Sequence, residues 1–242
     1  MDFSGHTAVV TGAGRGIGRG CAEALAIMGA SVIAIARSSD DLGSLAAQGD
    51  GRITTWQADV TDPELHDRIR QLDGLTLLVN NAGANRPQPF AEVDVESLDT
   101  VLSLNVRAAF LVAQSAAQAM LRNGAGGSIV HMSSQMGHVG SPDRSVYCMT
   151  KHAVEGLTKA TAVELAPEGI RVNSVAPTFV ETPLTKPMLD KPEFREFVLG
   201  MIPRGKLATI DDVVQAVLYL LSDGASMVTG HSLVVDGGWT AR

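Results

Sequence analysis

Tyr147 and Lys151 stand four residues apart, so on a helix their side chains share one face. A phenol and an ammonium placed this way can trade a proton with an alcohol or carbonyl oxygen. An unperturbed Tyr has a pKa of ~10, and acid–base work near neutrality requires lowering it by roughly three units. That amounts to ~4 kcal/mol of preference for the phenolate, at about 1.4 kcal/mol per unit. In a desolvated cleft, the ammonium together with a cationic cofactor ring could supply it. Many helices carry one such pair by chance. This chain has only two Tyr, however, and Ser133 and Ser134 lie just upstream at the end of an apolar run. A Ser hydroxyl there can hold a substrate oxygen during hydride transfer, although a Ser pair at a strand end also suits plain turn chemistry.

A second constellation is the run Thr11-Gly12-Ala13-Gly14-Arg15-Gly16-Ile17-Gly18, between a candidate strand and a helical pattern. Glycines there permit φ > 0 and close approach of a pyrophosphate, which then sits on the helix N-terminus. The spacing departs from G-x-G-x-x-G, and a tight packing turn would also use glycine. As the first βα turn of a doubly wound pattern it points to a dinucleotide. The next strand ends Ala36-Arg37-Ser38-Ser39, with no acid until Asp40 to engage ribose hydroxyls. Arg37 and Arg15 can pair with a 2′-phosphate and Ser38 adds a hydroxyl, so NADP(H) is preferred and NAD(H) stays possible. Both arginines could instead be solvated surface charges.

These groups need a frame to hold them. Short apolar runs at Ala8–Thr11, Ser31–Ala36, Ile53–Gln57, Leu75–Val79, Ser128–Ser133, Arg171–Ala176 and Ser232–Val235 read as strands buried on both faces. Helical patterns separate them, including one capped by Asp62-Pro63 and others at Ser97–Leu121, Val146–Leu165 and Ile210–Leu221. The alternation predicts one α/β domain over 1–242, a Rossmann-like, doubly wound, seven-stranded parallel sheet with helices on both faces. Residues 182–206 break the rhythm with four prolines around a short helix at Glu193–Leu199. They form either a substrate lid or an ordinary long connection.

Composition narrows the function classes. With 19 Lys+Arg against 26 Asp+Glu and a net charge of −7, nucleic acid and anionic membrane are poor partners, and a small molecule is the expected one. Two cysteines suit a reducing cytoplasm, no secretory signal is visible, and no apolar run approaches membrane-spanning length. No metal site is expected.

Taken in order, Thr11-Gly12-x-x-x-Gly16-x-Gly18, Asp59-Val60, Asn80-Asn81-Ala82-Gly83, Asn105, Ser134, Tyr147-x-x-x-Lys151 and Pro177 resemble the short-chain dehydrogenase/reductase family across essentially the whole chain. The resemblance implies that Tyr147 exchanges the proton, Lys151 lowers its pKa and holds the nicotinamide ribose, and Ser134 polarises the carbonyl. It implies that Asn105 anchors a water leading to Lys151, and that Asp59 and Val60 meet the adenine. Asn81, Ala82 and Gly83 would pass near the cofactor ribose, with Pro177, Val180 and Thr182 at the carboxamide. Asn80 reads better as a structural tie. It also implies a homodimer or homotetramer through the two long helices. Their alanines Ala108, Ala109, Ala113, Ala116 and Ala117 suit close packing, between subunits or inside one. Where the family commonly has Pro-Gly, this chain has Pro177-Thr178. Cys148, next to Tyr147, is oxidisable or a small core residue.

The family does not name a substrate. Asn85, Arg86, Gln135, His138, Arg144 and Thr178 are the candidates to flank the reacting carbonyl, each of which could equally face water. As a set they favour a sugar, polyol or keto-acid. The apolar Leu184, Met188, Leu189 and Met201 keep an acyl chain open, as in 3-oxoacyl-[acyl-carrier-protein] reductases, though only scattered arginines such as Arg122 and Arg144 would meet an acidic carrier. A dinucleotide sensor without turnover is the rival from another class.

Overall fold

The computed structural model describes residues 1–183 and 185–241; Leu184, one of the apolar residues expected to line the 182–206 segment, lies outside them. Seven strands form one parallel sheet: β1 (Thr7–Thr11), β2 (Ser31–Ala36), β3 (Ile53–Gln57), β4 (Leu75–Asn80), β5 (Gly127–Met132), β6 (Ile170–Pro177) and β7 (Ser232–Val235). Their order is β3-β2-β1-β4-β5-β6-β7, every pair parallel. The chain winds outward from β1 and returns through β4 on its other side. The strand order therefore reverses between β1 and β4, where the carboxyl ends of such a sheet open a crevice.

Helices cover both faces because most strand residues are apolar and need burial on either side. One face packs α1 (Gly16–Ile27) and α9 (Ile210–Leu221) against Val10, Val32, Val79 and Val130. The other packs α3 (Pro63–Arg70), α5 (Ala109–Asn123) and α6 (Ser145–Leu165) against Val9, Ile35, Leu78 and Ile129. Asp62 caps α3, its carboxylate accepting the Glu64 N–H at 2.9 Å, with Pro63 in the first turn. Gly29, the expected terminator, follows α1 at φ +98°. The periodicity reading missed α2 (Ser39–Ala46), a short helix of weak apolar pattern, capped by Ser38.

The expected helix at Ser97–Leu121 is three pieces: α4 (Val95–Leu102), a π-helical turn over Ser103–Ala108, and α5. A π turn inserts a residue without breaking the apolar pattern, so spacing alone does not reveal it. The whole stretch Val95–Asn123 does have the length and hydropathy of a membrane span, contrary to the sequence expectation, but half of its apolar window is buried within the fold. Ala109, Ala113, Ala116 and Ala117 are among the buried groups, so this alanine face packs inside the subunit. Residues 182–206 carry α7 (Lys186–Leu189) and α8 (Pro192–Met201), seated on a third core of Phe179, Leu189, Val198, Ile202 and Trp239.

His131, on β5, is 1 % exposed. Asn80 Nδ2, oriented by its 2.7 Å bond to the Ala109 carbonyl, lies 3.3 Å from His131 Nδ1, so the ring accepts there and is neutral. Burial, with Lys151 adding to it, holds this imidazole down to about 4. The unfolded chain therefore takes up the proton first, and stability is lost as pH falls from about 6.5 towards 4. Urea unfolding at pH 7 and pH 4.5 should show His131 contributing about 2–3 kcal/mol to that loss. His131→Gln should flatten the dependence, and an unchanged slope would contradict the assignment.

Candidate active site

β1 ends at Thr11, whose hydroxyl accepts the N–H groups of Asn81 (3.0 Å) and Ala82 (3.1 Å). Asn81 Nδ2 returns bonds to the carbonyls of Thr11 (3.0 Å) and Gly12 (3.4 Å). The glycine turn is thus locked to the end of β4. Gly12 and Gly16 adopt φ of +66° and +60°, where only glycine is unstrained. A Cβ at Gly18 would stand 2.4 Å from the Gly12 carbonyl oxygen and 2.5 Å from Asn81 Nδ2. Ile17 packs on the core beneath. The first turn of α1 holds no acidic residue and no side-chain cap, leaving its N–H groups for a ligand oxyanion. These residues fit a dinucleotide pyrophosphate.

Gly14 abuts Ala36 and Asp41, so the glycine turn and the end of β2 adjoin, bringing Arg15 and Arg37 to one end of the crevice. Arg37 is exposed and reaches Asp59 at 3.8 Å, a loose ion pair that contributes little. Ser38 Oγ accepts the Asp41 N–H at 3.2 Å, leaving its proton to donate outward. Burial would raise the Asp59 carboxyl, but the N–H and hydroxyl of Thr61 and the nearby Arg37 leave it below its ordinary value. Val60, next to it, is buried. Thr182 packs 3.6 Å from the Cβ position of Gly16. Val180 is bridged to Ala208, and Pro177 closes β6 opposite Val235.

Beyond β5 and β6 lies a cavity of about 200 Å³ lined by Ser134, Tyr147, Asn85, Gln135, Thr178 and apolar side chains including Phe179 and Met188. The Ser134 hydroxyl accepts the Met136 N–H at 3.2 Å and hydrogen-bonds the Tyr147 phenol. Three buried polar atoms of the lining have no partner among the described residues: Asn85 Oδ1, Gln135 Oε1 and Thr178 Oγ1. The Thr178 hydroxyl exists because threonine follows Pro177 where the family commonly has glycine. Arg144, also buried, reaches the cavity wall at Met188 Sδ, 3.0 Å away. Arg86 points elsewhere, 4.0 Å from Glu96 on the surface. His138 also turns away, to Ser232 Oγ at 2.9 Å and Glu155 at 3.5 Å.

Lys151 Nζ lies 5.4 Å from the centre of the Tyr147 ring and donates to the Met132 carbonyl at 2.7 Å. Burial pushes this amine down to about 8, opposed by Glu155 one turn along α6. It pushes the Tyr147 phenol up to about 12, opposed by the Ser134 hydroxyl and by Arg144. The expected lowering of the phenol is therefore reversed: desolvation outweighs the Ser134 hydroxyl and the Arg144 charge. Asn105 sits in the π turn, its amide engaged with the Ala84 main chain (2.9 and 2.8 Å) and Thr150 Oγ1 (3.2 Å). Its side chain shapes the Gly83–Ala84 loop. Sequence reasoning missed Thr150, which links Asn105 to α6 through its 2.8 Å bond to the Tyr147 carbonyl. It also missed Glu155. Neither carries a spacing signal.

A family model described as enoyl-(acyl carrier protein) reductase matches residues 12–240. L-xylulose reductase of Bos taurus is 43 % identical over all of this chain and 99 % of its own length. A short-chain type dehydrogenase/reductase from Mycobacterium marinum superposes with a TM-score of 0.94 at 37 % identity, covering 100 % of this chain and 98 % of that one. The chain belongs to the short-chain dehydrogenase/reductase family. A gluconate 5-dehydrogenase from Burkholderia cenocepacia, in complex with NADP and tartrate, shares the fold at TM-score 0.93 and 29 % identity, over 100 % and 97 % of the two chains. As a short-chain dehydrogenase/reductase the protein is an oxidoreductase of CH–OH groups that uses a nicotinamide dinucleotide, which sets aside the reading as a sensor without turnover.

Tyr147 is the one titratable group among the described residues lining the cavity. Tyr147→Phe is expected to lower kcat by about 10²–10⁴, the usual worth of a positioned acid or base, while the dinucleotide Kd changes little. Steady-state kinetics with fluorescence titration of the cofactor checks both. Near-native turnover would remove the phenol from the reaction.

Proposed function

We propose that this enzyme reduces the carbonyl of a small polyhydroxylated ketone with NADPH, and oxidises the matching alcohol in reverse. The observation that carries this reading is the trio of unpartnered polar atoms, Asn85 Oδ1, Gln135 Oε1 and Thr178 Oγ1, around the Ser134–Tyr147 hydroxyl pair. Buried polar groups without partners are destabilising, and a substrate bearing several hydroxyls satisfies them. The names of the relatives, a ketose reductase and a sugar-acid dehydrogenase, agree with it.

Bound at the glycine turn, the dinucleotide supplies or accepts hydride at its nicotinamide. The protein's own groups handle the oxygen. The Ser134 hydroxyl, one lone pair of which accepts the Met136 N–H, donates its proton to the carbonyl oxygen. The Tyr147 phenol delivers the proton, and a phenol held protonated by burial is in the correct state for reduction at neutral pH. Oxidation needs the phenolate, which the charge of the oxidised cofactor and of Lys151 would favour. Lys151 is also assigned to the nicotinamide ribose. Asp59 and Val60 would meet the adenine, Asn81, Ala82 and Gly83 the ribose side, and Pro177, Val180 and Thr182 the carboxamide. Arg37, Arg15 and Ser38 are assigned to a 2′-phosphate.

An acyl-carrier-protein substrate stands second. Its apolar support is Met136, Phe179 and Met188. The scattered arginines do not form a basic face for an acidic carrier: Arg122 holds the carbonyls of Arg70 and Leu72, and Arg144 is buried. The 182–206 segment is read as a lid because Thr185 and Met188 line the cavity. A cytoplasmic homodimer or homotetramer completes the proposal. Both cysteines are free and buried, and Phe110 on α5 and Met149 on α6 remain exposed, at 45 % and 47 %, beside the inward-facing alanines.

The test follows nicotinamide absorbance with ketoses, polyols and keto-acids, using each cofactor in turn. Turnover of polyhydroxylated ketones with NADPH is expected, whereas turnover of acyl thioesters alone would favour the second reading. Arg37→Ala should raise KM for NADPH by about tenfold or more and leave that for NADH within about twofold, since only the former loses a charge-assisted contact. Equal losses would mean that Arg37 does not read the phosphate.

A further inference from the structure

Arg144 precedes α6, three residues before Tyr147, and is 7 % exposed. Its guanidinium makes two hydrogen bonds, from Nη1 to the carbonyl of Asp143 at 3.3 Å and from Nη2 to Met188 Sδ at 3.0 Å. One acceptor is a long bond to its own neighbour, and the other is a thioether, a weak acceptor. No carboxylate stands within 4.0 Å of it among the described residues, whereas a buried charge is ordinarily paired. The Asp143 carboxylate and the Tyr147 phenol act on it only through space. The first turn of α6 contains no acidic residue and Arg144 supplies no side-chain cap, so the positive end of a 21-residue helix adds to the same field. Met188, which Arg144 touches, lines the cavity that holds Ser134 and Tyr147.

We infer that the substrate carries an anionic head group, a carboxylate or a phosphate, and that Arg144 binds it at the mouth of the cavity beside Met188. This rests on the polyhydroxylated-ketone reading above and narrows it from sugars in general to charged ones. A neutral ketose would satisfy Asn85, Gln135 and Thr178 but leave the guanidinium buried without an anion. A charged group there forms the charge-assisted bonds that a thioether does not provide. Arg144 is then the residue that sorts charged from uncharged sugars, while Ser134 and Tyr147 handle whichever carbonyl arrives.

The experiment compares kcat/KM with NADPH for a neutral ketopentose, for 5-dehydrogluconate and for a ketopentose phosphate, in the native enzyme and in Arg144→Gln. The native enzyme should favour one of the anionic substrates by about tenfold or more, and which one wins distinguishes carboxylate from phosphate. Arg144→Gln should cut the ratio of anionic to neutral kcat/KM by about tenfold or more, and Arg144→Lys should restore part of it. If the Gln variant fails to fold, Arg144→Met gives the same ratio. A native preference for the neutral ketose, or a ratio that the variants leave unchanged, overturns the inference while leaving the ketone-reductase reading intact. Turnover of none of the three overturns both.

Discussion

Desolvation of charge governs this molecule more than any single contact. At the carboxyl ends of β5 and β6 a phenol, an amine and a guanidinium are all withdrawn from water within one wall of the fold. Burial favours the neutral form of each, so the phenol keeps its proton and the amine gives its proton up more readily. Electrostatic partners act against that background and do not reverse it. Ser134 and Arg144 pull the phenol down, and Glu155 pulls the amine up. The protein's own groups thus set the site for donating a proton to a developing alkoxide, and cofactor charge would bias it the other way. The same balance explains why Lys151 leans on the Met132 carbonyl: in the dry cleft its ammonium needs an acceptor.

That wall is rigid because polar ties run across the sheet. Thr11 and Asn81 join the glycine turn to β4, while Asn80 couples β4 to both Ala109 and His131. Asn105 and Thr150 connect the π turn to α6 directly behind Tyr147. Asn81 and Asn105, which the motifs alone would mark as functional, spend their amide donors on these ties. Gln88 Oε1, His131 Nε2 and Ser133 Oγ, outside the cavity lining, are buried without a partner among the described residues. In the cavity lining Asn85, Gln135 and Thr178 likewise have an atom without a partner among the described residues, and there a bound ligand can supply it.

Much of this was legible beforehand. Three strands, Ser31–Ala36, Ile53–Gln57 and Ser232–Val235, and the helix Ile210–Leu221 have the boundaries read from periodicity, because two-residue and 3.6-residue repeats are local properties of the chain. The Asp62 cap and the Gly29 terminator are local as well. What periodicity missed was also local but weak: α2 has too few apolar residues to show, and the π turn shifts the register without changing residue types. Arg86 and His138 were grouped with the pocket by nearness in sequence. Their side chains turn instead toward Glu96 and Glu155, carboxylates brought close by the fold.

By itself, the sequence determined the order of strands and helices, the glycine turn that only residues without a Cβ can make, and the presence of Ser134, Tyr147 and Lys151 at family spacing. Tertiary structure alone decided which way each of those groups titrates, which polar atoms go unpaired, and that the alanine face of α5 serves the interior. The reason is physical. Backbone preference and amphipathic pattern are written in neighbouring residues, whereas desolvation and hydrogen-bond satisfaction depend on what distant segments bring against a side chain.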